Sequence, residues 1–168
     1  MKLGPHRTAR YYYLKFVRLQ GEPSMLARGV GIGLFIGVTP TIPLHTVLIL
    51  LIAFLTRSSK VAGLLTSVVI SNPLTIPPLY LLSWRLGAWL TRTRISWLRI
   101  KEVMEMALSD AGFGERVAAV FHLGREALLT LMLGGFLIAL PVGLAGYFLS
   151  YRFFATIQKK RREKQILK

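Results

Sequence analysis

Two stretches of the chain carry one pattern: an apolar run, a proline-rich break, then a second apolar run. The first extends from Ala27 to Thr56 and breaks at Thr39-Pro40-Thr41-Ile42-Pro43-Leu44. The second extends from Val61 to Leu90 and breaks at Asn72-Pro73-Leu74-Thr75-Ile76-Pro77-Pro78-Leu79. Between Pro23 and Lys101 there is no Asp or Glu. A water-facing domain cannot leave that much apolar sequence without acidic solvation, so the pattern predicts lipid as the solvent. A helix broken in lipid leaves polar backbone groups that only protein or a water-filled cavity can receive. The breaks are therefore the first place to look for function.

Segment length and boundary charge bear on how the runs meet a bilayer. As a helix, Ala27 to Val38 reaches about 18 Å, against a hydrocarbon core roughly 30 Å thick. Leu44 to Thr56 is similarly short. Every boundary is basic: Arg28 at the start, Arg57 and Lys60 between the runs, Arg92 and Arg94 after the second. If each run crossed once, one basic boundary would face outwards, against the positive-inside tendency. Both tests favour a pair of re-entrant helical hairpins entering from the cytoplasm, with the proline breaks at their tips. Two kinked spans are the alternative. The breaks also share Thr-Ile-Pro and a following Leu, and paired interrupted hydrophobic segments point to a site at a repeat interface.

The rest of the chain extends this reading to an all-α membrane protein. Residues 1–23 mix Tyr11, Tyr12, Tyr13 and Phe16 with Arg10, Lys15 and Arg18, as a helix lying in the headgroup layer does. They lack the uninterrupted apolar core and small-residue cleavage site of a secretory signal, and Ser24 is the predicted N-cap of the first apolar helix. Residues 24–150 form the membrane domain, with an amphipathic cytoplasmic insert over 95–125 read as a lid on the membrane face. Ala127 to Leu149 is long enough to span and is interrupted by Pro141, so it is a C-terminal transmembrane helix or another hairpin. Residues 151–168 are a basic cytoplasmic tail. Gly29, Gly33 and Gly37 at every fourth residue predict a close-packing helix face, as do Gly135, Ala139 and Gly143.

Composition and charge narrow the class. The 168 residues are 53% hydrophobic and carry a formal net charge of +15, with a mean hydropathy of +0.51. The 22 Lys and Arg cluster at the edges of the apolar runs, as anchors facing anionic headgroups do, which argues against nucleic acid. There is no cysteine, hence no disulfide or thiolate chemistry.

The polar residues within the runs are few. Thr39, Thr41 and His45 surround the first break, Asn72 and Thr75 the second, and Arg85 and Arg28 lie further along their runs. Pro40, Pro43, Pro73 and Pro77 set the breaks themselves. Ionisable groups at membrane depth are costly and default to a functional hypothesis. Half-helix N-termini at the breaks would add partial positive charge, so the field favours an anion such as a lipid phosphate. The bland readings are that Arg85 snorkels, that His45 donates to a freed carbonyl, and that Asn72-Pro73 is a helix cap. The seven acids all lie outside the broken runs, and no metal-ligand set or catalytic triad can be assembled there. This predicts a protein that is not an enzyme and uses no metal or cofactor.

The Gly-rich arm ending in Phe35-Ile36-Gly37-Val38-Thr39-Pro40, followed by Asn72-Pro73-Leu74-Thr75-Ile76-Pro77-Pro78-Leu79-Tyr80 and Gly87, resembles the bacterial membrane family catalogued as domain of unknown function 2062. The resemblance covers roughly Ser24 to Leu149, and Asn72-Pro73-x-Thr75 is its most specific part. The chain departs from the family pattern at Ile42-Pro43-Leu44-His45, where a Gly and a Gln are expected, so no family role passes to His45. The resemblance implies no activity. Some members look fused to glycosyltransferase domains acting on lipid-linked substrates, which suggests lipid-linked glycosylation machinery as a partner. Paired re-entrant hairpins are also similar in design to the DedA-type lipid transporters, a fold-level analogy only.

The expected function is binding or translocation of an anionic substrate, foremost a lipid phosphate headgroup, at the paired breaks of a multi-pass inner-membrane protein. The alternative is a non-transporting scaffold that packs through its Gly faces, as a homo-oligomer or with another protein.

Overall fold

The computed structural model describes residues 14–41, 44–72, 74–92, 96–110, 112–122 and 125–166. Most of the N-terminal aromatic segment, together with Pro43 and Pro73, lies outside them. Only a helical turn over 14–17 represents the expected interfacial helix.

Helix α1 (Pro23–Val38) starts with proline in its first turn, where a missing N–H costs nothing. Its N-cap is Glu22, without a side-chain cap bond, and not the expected Ser24. Thr39 ends the helix, and both its N–H and its Oγ1 donate to Phe35 O, at 3.1 and 2.7 Å. Helix α2 (His45–Leu55) runs back along α1. The following turn uses a left-handed Arg57 (φ 49°) and brings Ser59 N within 3.1 Å of Met25 O at the start of α1. The first run is thus a helical hairpin with its break at the far end.

Helix α3 (Lys60–Ile70) is capped by Ser59, whose Oγ accepts from Ala62 N at 3.2 Å. It runs parallel to α1, and glycine makes that contact. Gly29 lies on Ser59 and Ala62, Gly33 on the backbone of Gly63, and Gly37 beside Ser67. Helix α4 (Ile76–Thr91) follows, and the C-terminal helix α7 runs unbroken from Arg125 to Ile166. Along α7, Gly134 meets Ser83 and Thr130 meets Gly87, while Thr130 Oγ1 and Thr91 Oγ1 are 3.2 Å apart. Helix α4 is therefore antiparallel to α7. So is α1, since Phe35 packs on Gly143, Gly31 on Tyr147, and Leu26 and Val30 share a cluster with Phe154.

These contacts correct the expected second hairpin. Because α3 is parallel to α1, and α1 and α4 both oppose α7, α3 and α4 point the same way. They pack against different partners and make almost no contact with each other. The second run is one broken helix that carries on past its break. Its direction follows from the seating of Gly87 on α7, which a fold-back would undo. The break is also shorter than expected, ending at Thr75, with Pro77 and Pro78 in the first turn of α4. Proline near a helix start is preorganised for it.

The C-terminal run is a single 42-residue helix that contains Pro141, the first of the two expected alternatives, and the basic tail forms its last turns. There, Gln158 Nε2 donates to Gly21 O, and Arg161 donates to Val17 O at 2.7 Å. The insert is two helices, α5 (Trp97–Leu108) and α6 (Phe113–His122). Helix α5 runs back along α4, with Trp97 against Trp84 and Met104 against Ile76 and Tyr80. It is packed on the helical body, not laid over it as a lid.

Helix α7 is long and apolar enough to cross a membrane, with a mean hydropathy of 2.2 over its most apolar 18-residue window. Large apolar side chains are found both in the core, at Leu26, Ile36, Ile49, Tyr80, Ile100 and Phe154, and on the surface. Helix–helix contacts are made by Gly29, Gly33, Ala62, Gly63, Gly87, Gly134 and Ala139. Val47, Leu51, Phe54, Leu55, Phe136, Leu144 and Phe148 face outwards, Leu55 being 70% exposed.

Candidate functional site

The two breaks come together. Ser71 Oγ, at the end of α3, donates to Gly37 O, one residue before the end of α1, at 3.0 Å. Pro40 is buried against Gly135 of α7. The polar side chains at the breaks are turned onto their own backbone. Asn72 Oδ1 accepts from Leu74 N at 2.9 Å and Thr75 N at 3.1 Å, while its Nδ2 donates to Val69 O at 3.0 Å. Thr75 Oγ1 donates to Ile70 O and accepts from Asn72 N at 3.2 Å. Thr39 Oγ1 bonds Phe35 O, and Thr41 Oγ1 lies 3.4 Å from Ile36 O. The carbonyls of Phe35, Ile36, Gly37, Val69 and Ile70 and the N–H groups of Leu74 and Thr75, freed at the breaks, are thus bonded within the chain. His45 is the first residue of α2, and its Nδ1 is buried without a hydrogen-bond partner among the described residues.

The expected constellation is only partly assembled. Thr39, Thr41, His45, Asn72 and Thr75 gather at the break layer with Pro40 and Pro77. Arg28 does not join them, standing ten residues before Val38, about 15 Å along the helix axis. Arg85 is as far past Thr75 along α4, but it follows Ser83 by two residues, and Ser83 meets Gly135 of α7 together with Pro40, so Arg85 stands near the level of Pro40 and away from Asn72 and Thr75. Since α1 runs into the break layer and α4 runs out of it, the two arginines lie on opposite sides of Asn72 and Thr75. The dipole expectation also weakens, because the C-termini of α1 and α3 end beside the N-termini of α2 and α4 and their partial charges offset.

The role of Asn72 as a cap gives a direct expectation. Asn72→Ala removes an acceptor for two N–H groups and the donor to Val69. It should cost about 2 kcal/mol, or roughly 4–8 °C of Tm at this chain size. Asn72→Asp keeps the acceptor and should lose less. Thermal unfolding of the detergent-solubilised protein, read by size exclusion, measures both.

A cavity of about 460 Å³ runs from Arg28 to Ile36, close to the first break, on the side of α1 that α3 leaves free. Helix α1 forms its floor through Gly31, Ile32 and Phe35, with α2 and α7 as walls. The walls are not packed on each other, which leaves a groove open sideways between Ile52 on one side and Leu140 and Leu144 on the other. Its polar groups are confined to one end: Arg28, Thr56 and Ser58, with Tyr147 nearby. Thr56 Oγ1 and Ser58 Oγ are 2.8 Å apart. Arg28 is exposed and uses Nε on Ser24 O at 3.4 Å. The Lys101–Glu105 ion pair is remote from it.

Sequence reasoning reached Arg28 but missed the groove. Ile32, Phe35, Ile52 and Leu144 are indistinguishable in sequence from lipid-facing or core positions. The usable signal was Gly31, out of step with the Gly29-Gly33-Gly37 face and therefore free to seat α7 at Gly143 and Tyr147.

A family model described as an uncharacterized protein conserved in bacteria, DUF2062, matches residues 6–163. No curated protein and no solved structure matches the chain.

Proposed function

Because the chain belongs to this bacterial family, whose description names no activity, we propose from its geometry that it binds and translocates an anionic lipid headgroup as a multi-pass protein of the inner membrane. The observation that carries the reading is the concentration of basic residues at one end of the folded chain. The order of α1, α2, α3 and α7 gathers Arg28, Arg57, Lys60, Arg152, Lys159, Lys160, Arg161 and Arg162 there, with Glu22 and Glu163 as the acids among them. Glu102, Glu105, Asp110, Glu115 and Glu126 belong to α5, α6, the segment between them and the start of α7, where Arg99, Lys101, Arg116 and Arg125 offset most of their charge. A concentrated basic end is what a cytoplasmic face and anionic headgroups select.

Two features support the membrane part. Large apolar side chains point outwards over α2, α3, α4 and α7 while glycines bring α1 onto α3 and α4 onto α7, a packing expected where lipid replaces water. The bonds from Thr39, Thr75, Ser71 and Asn72 to backbone groups freed at the breaks support broken helices at membrane depth. In this reading the break layer, with Thr39, Thr41, His45, Asn72 and Thr75, is the mid-membrane point through which a headgroup passes. Arg28 and Arg85 attract it from the two sides. The scaffold reading is disfavoured because the Gly faces that would have served it are occupied within the monomer. No catalytic group is invoked.

The test uses sealed proteoliposomes containing a trace of phosphatidylglycerol with a fluorescent headgroup and a membrane-impermeant quencher. Translocation predicts quenching beyond the outer-leaflet share, lost when Arg28 and Arg85 are both changed to Gln in a protein that still reconstitutes. Quenching that stops at the outer-leaflet share with the parent chain rejects translocation.

A further inference from the structure

We propose that the groove between α1, α2 and α7 is the seat of one acyl chain of an anionic phospholipid whose phosphate is held by Arg28. The proposal rests on the lipid reading above and gives it a location outside the break layer. Three properties of the groove select this occupant.

The first is shape. The groove follows α1 from Arg28 to Ile36, eight residues and about 12 Å at 1.5 Å each. It is open between α2 and α7, which do not pack on each other, so a chain can enter laterally from a bilayer without crossing a polar layer. Its volume of about 460 Å³ is within the range of ligand pockets.

The second is the one-ended placement of polar groups. The floor and walls offer Ile32, Phe35, Ile52 and Leu140, none of which can bond a headgroup. Arg28, Thr56 and Ser58 stand together at the end nearest the basic tail. An amphiphile with one apolar and one polar end fits this division, whereas a polar solute would leave its groups unpaired along the groove.

The third is charge. Arg28 engages a backbone carbonyl through Nε, and no acidic side chain among the described residues pairs with it. Arg57 and Lys60 lie on the adjoining turn. A guanidinium at such a site recognises phosphate by paired N–H donors. A zwitterionic lipid would bring its own cation into the same basic field.

The experiment uses the full chain in nanodiscs doped with phosphatidylglycerol carrying a diazirine near the end of one acyl chain. After irradiation, adducts are mapped by peptide mass spectrometry. The expected result is enrichment at Ile32, Phe35 and Leu140 over the outward-facing Phe54, Leu55 and Val69. Arg28→Gln should lower the groove adducts about fivefold, the ~1 kcal/mol one arginine contributes beside an anionic surface. The same probe on phosphatidylcholine should show no enrichment. Ile32→Trp fills the groove and should abolish the Phe35 adduct. Even labelling over the apolar surface, or adducts unchanged by both variants, overturns the groove as the seat and leaves the general lipid reading standing. Loss of quenching in the parent chain with groove adducts intact rejects translocation and keeps the seat.

Discussion

Gly33→Leu should leave no folded monomer to purify, while Gly112→Leu behaves as the parent chain. Gly33 sits where α1 and α3 touch backbone to backbone, and a Cβ there would overlap the carbonyl oxygen of Gly63. A carbonyl inside a helix cannot rotate away without breaking its own hydrogen bond, so the helices must separate. Separation also pulls Gly29 from Ser59 and breaks the bond from Ser71 Oγ to Gly37 O, which joins the two breaks. In a membrane no hydrophobic force drives helices back together, because lipid solvates them as well as protein does, and close packing is most of the attraction. Alanine is the graded version. Gly33→Ala should cost about 1–3 kcal/mol, the usual range for overpacking, or roughly 2–12 °C of Tm for a chain of this size. A Cβ at Gly112 meets nothing within 4 Å, which makes it the control for adding bulk. Monodispersity and thermal unfolding in detergent measure all three. An undisturbed Gly33→Leu protein would mean that α1 and α3 are not packed as described.

The same contacts explain what the sequence could and could not reveal. The break at Thr39 to Leu44 was legible because proline and threonine interrupt an apolar helix for local reasons. The Gly29-Gly33-Gly37 face was legible because its period is that of a helix. The course of the second run was not. Asn72 and Thr75 cap a hairpin tip and a kink equally well, and the choice falls to Gly87 and Gly134, 47 residues apart in sequence. Short-range reasoning sees Gly87 only as a helix-weakening residue. Pro77 and Pro78 misled for a related reason, since proline marks the start of a helix as readily as its end. The positions of Arg28 and Arg85 depend on that course. Had the second run folded back, both arginines would have stood on one side of the breaks. Because it carries on, they are separated. The groove was the least legible feature, being a gap between α2 and α7 and not a contact.

Chain direction also leads to a labelling result of all-or-none size. Helix α7 carries Thr130 beside Thr91 and Phe154 beside Leu26 and Val30. These levels are 24 residues apart, at most about 36 Å of helix, which exceeds the roughly 30 Å hydrocarbon core. Seated in a bilayer along α7, the chain presents the Thr56–Ser59 turn and the C-terminal turns at one surface and the start of α5 at the other. The protein lacks cysteine, so single probes need no background removal. Thr56→Cys and Thr156→Cys, both at exposed positions, should react with an impermeant maleimide only in inverted vesicles, since the basic end is expected inside. Ser96→Cys, also exposed, should react in intact cells. Paired re-entrant hairpins predict instead that Thr56→Cys and Ser96→Cys share a side. If they do, α4 does not cross, and Arg28 and Arg85 cannot serve a headgroup from opposite leaflets. If they do not, the broken second run is a true span, and a headgroup moving between leaflets has Asn72 and Thr75 at mid-depth on its path.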